Sequence, residues 1–332
     1  MTRTLVTGGS GLIGGALITE LVADGQEVVA LARSDPAADA VRARGAQVAR
    51  GDLFDEPALR GAAEGCDLVY HVAGINTLCV TDPELMLRTN VDGAASVTRA
   101  AARAGVRRLI HTSSAAAVGE ARGTVGSEDS PHRGSFLSVY ERSKYLSEGA
   151  VTAAAAGSGL DVVFVNPASV QGPGRSSGTG KLLIAFLDGR LRVFIDTTVS
   201  IVDVADCVRG HMLVAERGIP GARYLLCGAA IPITEAFDLA GRIAGLSRRP
   251  IVVPPVLARG GGAIVEFAYR AVRRPPPICR AMVETMLHGH RYDGSRAARE
   301  LGLPYTPVEE TLRRTIEWAA AEGLMRSRPV VP

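Results

Sequence analysis

A short strand, a glycine-rich turn and an amphipathic helix at the start of the chain narrow its fold more than any other stretch. Residues 3–7 read as a buried strand, Gly8-Gly9-Ser10-Gly11-Leu12-Ile13-Gly14 as the turn, and Leu12, Leu17, Ile18, Leu21 and Val22 as the apolar stripe of the helix. Glycines at 8, 11 and 14 let backbone amides come close to a pyrophosphate, which a helix N-terminus attracts through its unpaired N–H groups. A turn that merely joins two packed elements has the same composition, so this run alone sets the local architecture and not its purpose.

The alternation continues along the chain. Strand-like runs at 27–31, 47–50, 67–72, 108–112 and 161–165 are separated by helical stretches, the longest at 83–104. This rhythm predicts an α/β protein with a Rossmann-type, doubly wound parallel sheet. Ligands of such sheets lie at the carboxyl ends of the strands. Those ends here carry Ala32-Arg33-Ser34, Asp52-Leu53, Val72-Ala73-Gly74, Ser113-Ser114 and Asn166-Pro167-Ala168-Ser169-Val170. An acidic residue usually holds the adenosine ribose at the second strand end, but Ala32 stands there with Arg33 beside it. A guanidinium suits a 2'-phosphate, and Ser34 with Arg42 or Arg44 could assist. Asp52 is placed either to accept from an adenine amino group or to cap the helix beginning near Glu56. Asn90, on the long helix, is either a buried structural polar group or a site residue.

Beyond residue 170 the rhythm changes. Residues 1–170 are expected to form the dinucleotide-binding domain and 171–332 mainly a smaller substrate-binding α/β lobe, with 191–226 returning in part to the first domain. The loop 119–135 is long enough to be a functional flap. Strands are expected at 191–195 and 222–226, and helices at 203–216, 234–244 and 307–321. A glycine-containing apolar helix at 256–273 reads as a lid, a packed helix or a dimer contact. Phe186, Leu187, Leu191, Val193, Phe194 and Ile195 read as the lining of an apolar pocket or as plain core.

Composition excludes several classes. With 47% hydrophobic and 21% charged residues and a net charge of +3 over 332 residues, the chain is neither disordered nor patterned for nucleic acid. Five widely spaced cysteines without a C-x-x-C argue against a disulfide framework and a zinc site, so reduced thiols are expected. His288 and His290 lack a nearby carboxylate or cysteine motif, and no metal is expected there. Residues run from Met1 directly into a strand-like stretch, and no uncharged apolar segment reaches membrane length, so a soluble, cytoplasmic protein is predicted.

The chemistry concentrates at Tyr140-Glu141-Arg142-Ser143-Lys144. Helical spacing puts the phenol and the ammonium on one face, and Lys144 is one of only two lysines in the chain. A phenol that exchanges protons near neutrality needs its pKa lowered by roughly 3 units, or about 4 kcal/mol, and a fixed cation can supply that.

With Gly8-x-x-Gly11-x-x-Gly14, Ser114 and Tyr140-x-x-x-Lys144 in this order, the chain resembles the extended short-chain dehydrogenase/reductase superfamily over nearly its whole length. Its 165–174 run, Val202-Asp203-Val204-Ala205-Asp206 and Leu301-Gly302-Leu303 before Pro307 resemble the dihydroflavonol 4-reductase-like and hopanoid-associated branch of the NAD-dependent epimerase/dehydratase family. The resemblance implies Tyr140 as general acid/base, Ser114 bonding the substrate carbonyl, and Lys144 holding the nicotinamide ribose and lowering the tyrosine pKa. It implies cofactor contacts from Gly8, Gly11, Leu12, Ile13, Gly14, Arg33, Asp52, Leu53, Val72, Ala73, Gly74, Asn90, Pro167 and Val170, with NADPH/NADP+ ahead of NAD+. The implied activity is a carbonyl reductase or secondary-alcohol dehydrogenase acting on a bulky, mainly apolar substrate. A sugar-nucleotide epimerase or dehydratase and a non-catalytic dinucleotide sensor are the alternatives. Val163 and Gln171 depart from the arginine and tyrosine of the sugar-nucleotide epimerases. A homodimer is expected through the 83–104 and Tyr140 helices, with Ala94, Ala101 and Ala102 allowing close approach.

Overall fold

The computed structural model describes residues 2–246 and 250–326. The first half runs β1 (Arg3–Thr7), α1 (Leu12–Ala23), β2 (Glu27–Ala32), α2 (Asp35–Arg42), β3 (Gln47–Arg50), α3 (Glu56–Ala63) and β4 (Leu68–His71). It continues with α4 (Pro83–Leu87), a π turn at Arg88–Asp92, α5 (Gly93–Arg103), β5 (Arg108–Thr112), α6 (Val139–Ala155) and β6 (Asp161–Pro167). The second half holds β7 (Ser169–Gln171), α7 (Thr179–Leu187), β8 (Val193–Ile195), β9 (Thr198–Asp203), α8 (Val204–Arg217), β10 (Arg223–Leu226) and β11 (Ala229–Pro232). It closes with α9 (Ile233–Ile243), β12 (Ile251–Val253), α10 (Pro255–Ala271), α11 (Arg280–His288), α12 (Ser295–Leu301) and α13 (Val308–Ala321).

Seven parallel strands form the main sheet in the order β10-β6-β5-β4-β1-β2-β3. The order reverses between β1 and β4, which opens a crevice at their carboxyl ends. Alternate residues of each central strand face opposite layers, so these strands are apolar throughout. Val6, Val28 and Ala30 pack with Leu17, Ile18 and Leu21 of α1 and Val208 of α8, while Leu5, Val29 and Leu31 pack with Leu59 of α3, Val97 of α5 and Val151 of α6. Ala94 and Ala101 lie fully inside this second layer, so they support the monomer core and are not free for the expected dimer contact.

The lobe is built on two small sheets, β11-β9-β7 and β12-β8. Its core is aromatic: the Phe237 ring lies 5.0 Å from Phe186 and 4.3 Å from Phe194, centre to centre. Phe186, Leu187 and Phe194 are thus core residues and not a pocket lining. Several lobe elements, including β9, β11, α7 and α11, were absent from the sequence expectation because short, irregular elements carry little periodicity. The loop 119–135 is held down: Arg133 pairs with Glu141, and Glu128 accepts the Leu225 N–H at 2.9 Å.

The cysteines differ from expectation too. Cys79, in the loop after β4, is bonded to Cys279 at the start of α11, while Cys66, Cys207 and Cys227 are free and buried. The two partners are 200 residues apart, a proximity that spacing does not encode.

One buried carboxylate joins the layers. Glu148 of α6 accepts from Ser113 Oγ at 2.5 Å, from Asn166 Nδ2 at 2.7 Å and from Arg223 Nε at 2.5 Å. Removing it strands a buried amide and a guanidinium. Glu148→Ala is therefore expected to lower the unfolding free energy by about 3 kcal/mol, and Glu148→Gln by less, when measured by urea denaturation.

Candidate active site

The glycine turn has the shape a pyrophosphate needs. Gly8 has φ +75°, and a Cβ there would lie 2.6 Å from the Ala73 amide nitrogen. A Cβ on Gly14 would overlap the Gly8 carbonyl oxygen, so both positions require glycine for the turn to press against α1 and β4. α1 begins at Gly11 with no side-chain cap and no acid in its first turn, which leaves its amides open to an anion. Leu12 and Ile13 form that first turn. These features fit a dinucleotide, which the backbone of Gly8, Gly11, Leu12, Ile13 and Gly14 would hold by its phosphates.

At the adenosine end, Ala32 is buried where β2 stops. The Arg33 side chain is 80% exposed, 3.9 Å from Asp52. The Ser34 hydroxyl caps α2 through Ala37 N, and Arg42 pairs with Asp39 at 2.6 Å, so neither is idle. Arg44 lies against Gly15 of α1, its Nη1 donating to the Ala40 carbonyl at 2.6 Å. Asp52 does not cap α3: Asp55 does so through Ala58 N, while Asp52 accepts from Phe54 N at 3.1 Å. Leu53 is part of the core.

The Tyr140 helix is positioned locally and then locked. Ser138 caps α6 by accepting the Glu141 N–H at 3.1 Å, which sets where the helix starts. Two turns on, Lys144 Nζ donates to the Thr112 carbonyl at 2.9 Å and ties the helix to the end of β5. Asn90 proves to be a clamp: its amide donates to Ile75 O and Ser143 Oγ, both at 2.9 Å, and its oxygen accepts from Ile75 N at 2.7 Å. It thereby joins the π turn, the β4 exit and α6. A Cβ on Gly74 would lie 3.1 Å from Asn90 Oδ1 and 3.4 Å from Lys144 Nζ, which places the β4 exit beside the lysine. Val72 and Ala73 lead into it as partly buried residues. Pro167 pairs with Leu226, and Val170 sits in the core at the start of the lobe.

The electrostatics correct one expectation. Burial pushes the Tyr140 phenol above its ordinary value, against the opposing pull of a hydrogen bond to Ser114 and of the Arg175 charge. Lys144 is not among the groups acting on the phenol; its Nζ donates to Thr112, and burial lowers it to about 8, with Glu148 opposing. Arg175 was not anticipated: it lies in an irregular glycine-rich loop with no periodic signal, and its Nε is buried without a partner. Behind the lysine, His71 and His111 are buried and neutral, His71 lowered to about 3 by desolvation.

A second polar group lies elsewhere. Glu120 brings a carboxylate oxygen 3.5 Å from His288 Nε2 and 2.5 Å from His290 Nδ1. The histidines therefore do have a carboxylate neighbour, contrary to expectation, supplied from 170 residues away. Tyr292 Oη also reaches His290 Nδ1, at 2.9 Å, which makes the group a hydrogen-bonded chain.

A doubly wound sheet, a glycine turn at its first strand and a Tyr-x-x-x-Lys helix beside Ser114 define an extended short-chain dehydrogenase/reductase. The chain belongs to the NAD dependent epimerase/dehydratase family, whose model matches residues 4–227. It is 33% identical to Sterol demethylase protein B of Methylococcus capsulatus, over 97% of this chain and 99% of that protein. It is 30% identical to a putative dihydroflavonol 4-reductase of Synechocystis (97% and 96% covered). It is 29% identical to a 2-alkyl-3-oxoalkanoate reductase of Stenotrophomonas maltophilia (96% and 100%). Among solved structures it is similar to gox2253, with a TM-score of 0.86 and 30% identity over 98% of this chain and 100% of that one. It is also similar to MoeE5 in complex with UDP-glucuronic acid and NAD, with a TM-score of 0.76 and 27% identity over 96% and 99%. The chain is thus an oxidoreductase-type enzyme of a nicotinamide dinucleotide-dependent family.

Lys144 also makes stability depend on pH. Its native pKa of about 8 lies below the ordinary 10.5, so the unfolded chain binds more protons between these values. The cost of the buried charge is full below pH 8 and fades as pH rises, a gain of about 3 kcal/mol across the window. Lys144→Met should abolish that slope, as read from urea midpoints on either side of it.

Proposed function

We propose that this protein is an NADPH-dependent carbonyl reductase acting on a bulky, mainly apolar substrate with an acid group close to the carbonyl. The observation that carries the reading is the Tyr140 phenol, coupled to Ser114 and kept protonated by burial, which is the form that donates to a carbonyl oxygen. Reduced nicotinamide, when bound, supplies the hydride. Ser114 Oγ accepts from Ala116 N at 3.3 Å, and its hydroxyl, bonded to Tyr140 in the resting site, turns to the substrate oxygen when the carbonyl enters. Tyr140 then passes its proton to the alkoxide that forms. Lys144, the ammonium beside Gly74, holds the ribose, and the Arg175 charge favours the phenolate left behind.

Arg175 supports the acidic part of the reading. Its charge acts on Tyr140, and among the described residues it pairs with no carboxylate, so an acid on the substrate would complete it. The 2-alkyl-3-oxoalkanoate named for one relative is such a compound, and the sterol and dihydroflavonol names support bulk. A second reading, a sugar-nucleotide epimerase, is favoured by the likeness to MoeE5 with its UDP-glucuronic acid. Net cofactor consumption separates the two, because an epimerase returns its cofactor unchanged in each turnover.

The test is NADPH oxidation, followed by nicotinamide absorbance, with 3-oxo acids, their esters, simple ketones and sugar nucleotides. Oxidation with the 3-oxo acids is expected, and Tyr140→Phe should reduce it at least about 100-fold with cofactor binding intact. Conversion of a sugar nucleotide without net oxidation would replace this reading with the epimerase.

The dinucleotide preference rests on Ala32 and on the solvent-facing Arg33, whose exposed pairing with Asp52 at 3.9 Å is weak enough to give way to a 2'-phosphate. Calorimetry should show NADPH bound roughly 10-fold or more tighter than NADH, as one charge-assisted contact provides. Ala32→Asp with Arg33→Asn should reverse the order, and equal binding by the wild type would remove the basis for NADPH.

A further inference from the structure

Helix α10 turns its apolar side outward. Val256, Leu257, Ile264 and Phe267 are 76, 66, 70 and 77% exposed. At about 100° per residue they fall in one sector of about 100°, shared only with Gly260 and Ala271 of the helix. Its inner side is a narrow stripe, Ala258 and Gly262, where a Cβ on Gly262 would come 2.7 Å from Val283 of α11. An amphipathic helix normally buries its apolar stripe, and a contiguous exposed one marks a surface that binds something.

The charge around this helix identifies what it binds. Residues 251–290 hold five arginines, two glutamates and no lysine or aspartate, an excess of three that equals the net charge of the whole chain. The rest of the protein is therefore balanced. Arg259 pairs with Glu284 and Arg270 with Glu266, and Arg280 also lies by Glu266, to which its backbone N–H donates at 2.8 Å, which leaves Arg273 and Arg274 without a carboxylate among the described residues. A second copy docked two-fold on this face would bring like arginine rims together, whereas anionic lipid headgroups complement them.

We propose that α10 is a peripheral membrane anchor, lying in the interface of an anionic bilayer with its apolar sector among the acyl chains and the arginines at the phosphates. Its 17 residues suit lying in the interface, and among the described residues no helix is long and apolar enough to cross a membrane. The anchor is fastened to the catalytic domain. Cys279, which opens α11, is bonded to Cys79, and Arg270 Nη2 donates to the Val80 carbonyl at 3.5 Å. Cys79 and Val80 belong to the loop that leaves Gly74 beside Lys144, so the docked face is joined to the edge of the active centre. This goes beyond the reductase reading, and its test uses vesicle binding and not turnover.

The full-length protein is floated with vesicles of phosphatidylcholine containing roughly one-third phosphatidylglycerol, and with phosphatidylcholine alone. Binding to the anionic vesicles should be at least about 10-fold tighter and should weaken with salt. Replacing Val256, Leu257, Ile264 and Phe267 together by serine should weaken it at least about 10-fold, with circular dichroism and the unfolding midpoint unchanged. Arg273→Gln with Arg274→Gln should weaken binding to the anionic vesicles alone. Failure of the wild type to float with anionic vesicles, or equal flotation of the serine variant, overturns the proposal. So does a wild-type dimer by light scattering that the serine variant converts to monomer, because a second copy would then cover the face.

Discussion

The arrangement of this protein depends on a carboxylate kept away from water. Glu148 is almost completely buried, a costly state unless its oxygens find donors, and three groups from three different strand regions converge on them. Ser113 and Asn166 bring the exits of β5 and β6, and Arg223 brings β10, contributed by the second half of the chain. Because Glu148 is four residues from Lys144 and eight from Tyr140, holding it fixes the rotation and height of the α6 face that carries both. The desolvation cost is offset only when all four elements are in place, so assembly of the sheet and orientation of the phenol are one event.

The same burial governs the acid-base chemistry. A tyrosine, a lysine and an arginine share a poorly solvated region in which desolvation raises the first and lowers the others. Burial thus favours the neutral phenol and weakens the hold of the lysine on its proton. Neutral histidines beneath it add polarity without adding charge.

The lobe follows a different logic. Its core centres on an aromatic cluster, with Phe186, Phe194 and Phe237 edge-on or tilted to one another and buried aliphatics such as Leu183, Ile233 and Ile316 around them. The α10–α11 pair is held to the first domain by a covalent bridge near its edge, while the outer side of α10 has no protein partner among the described residues. A rigid attachment with an uncovered apolar side is an economical way to present a surface without disturbing the centre it borders.

Much of the fold was legible from residues alone. Periodicity placed β1 to β6 within two residues and the helical stretch 83–104 nearly so, since buried parallel strands and amphipathic helices have repeat patterns that short windows resolve. The glycine turn and the Tyr140–Lys144 pair were legible for the same reason, because each needs a local spacing. What the sequence could not express was anything that depends on distant residues meeting. Asn90 became a clamp only when Ile75 and Ser143 closed on it, and Cys79 found Cys279 only after the lobe folded back. Glu120 joined two histidines on the same terms. Arg175 entered the centre from an irregular loop, and the direction of the Tyr140 shift was reversed by burial, a property of the packed protein with no counterpart in a string of residues.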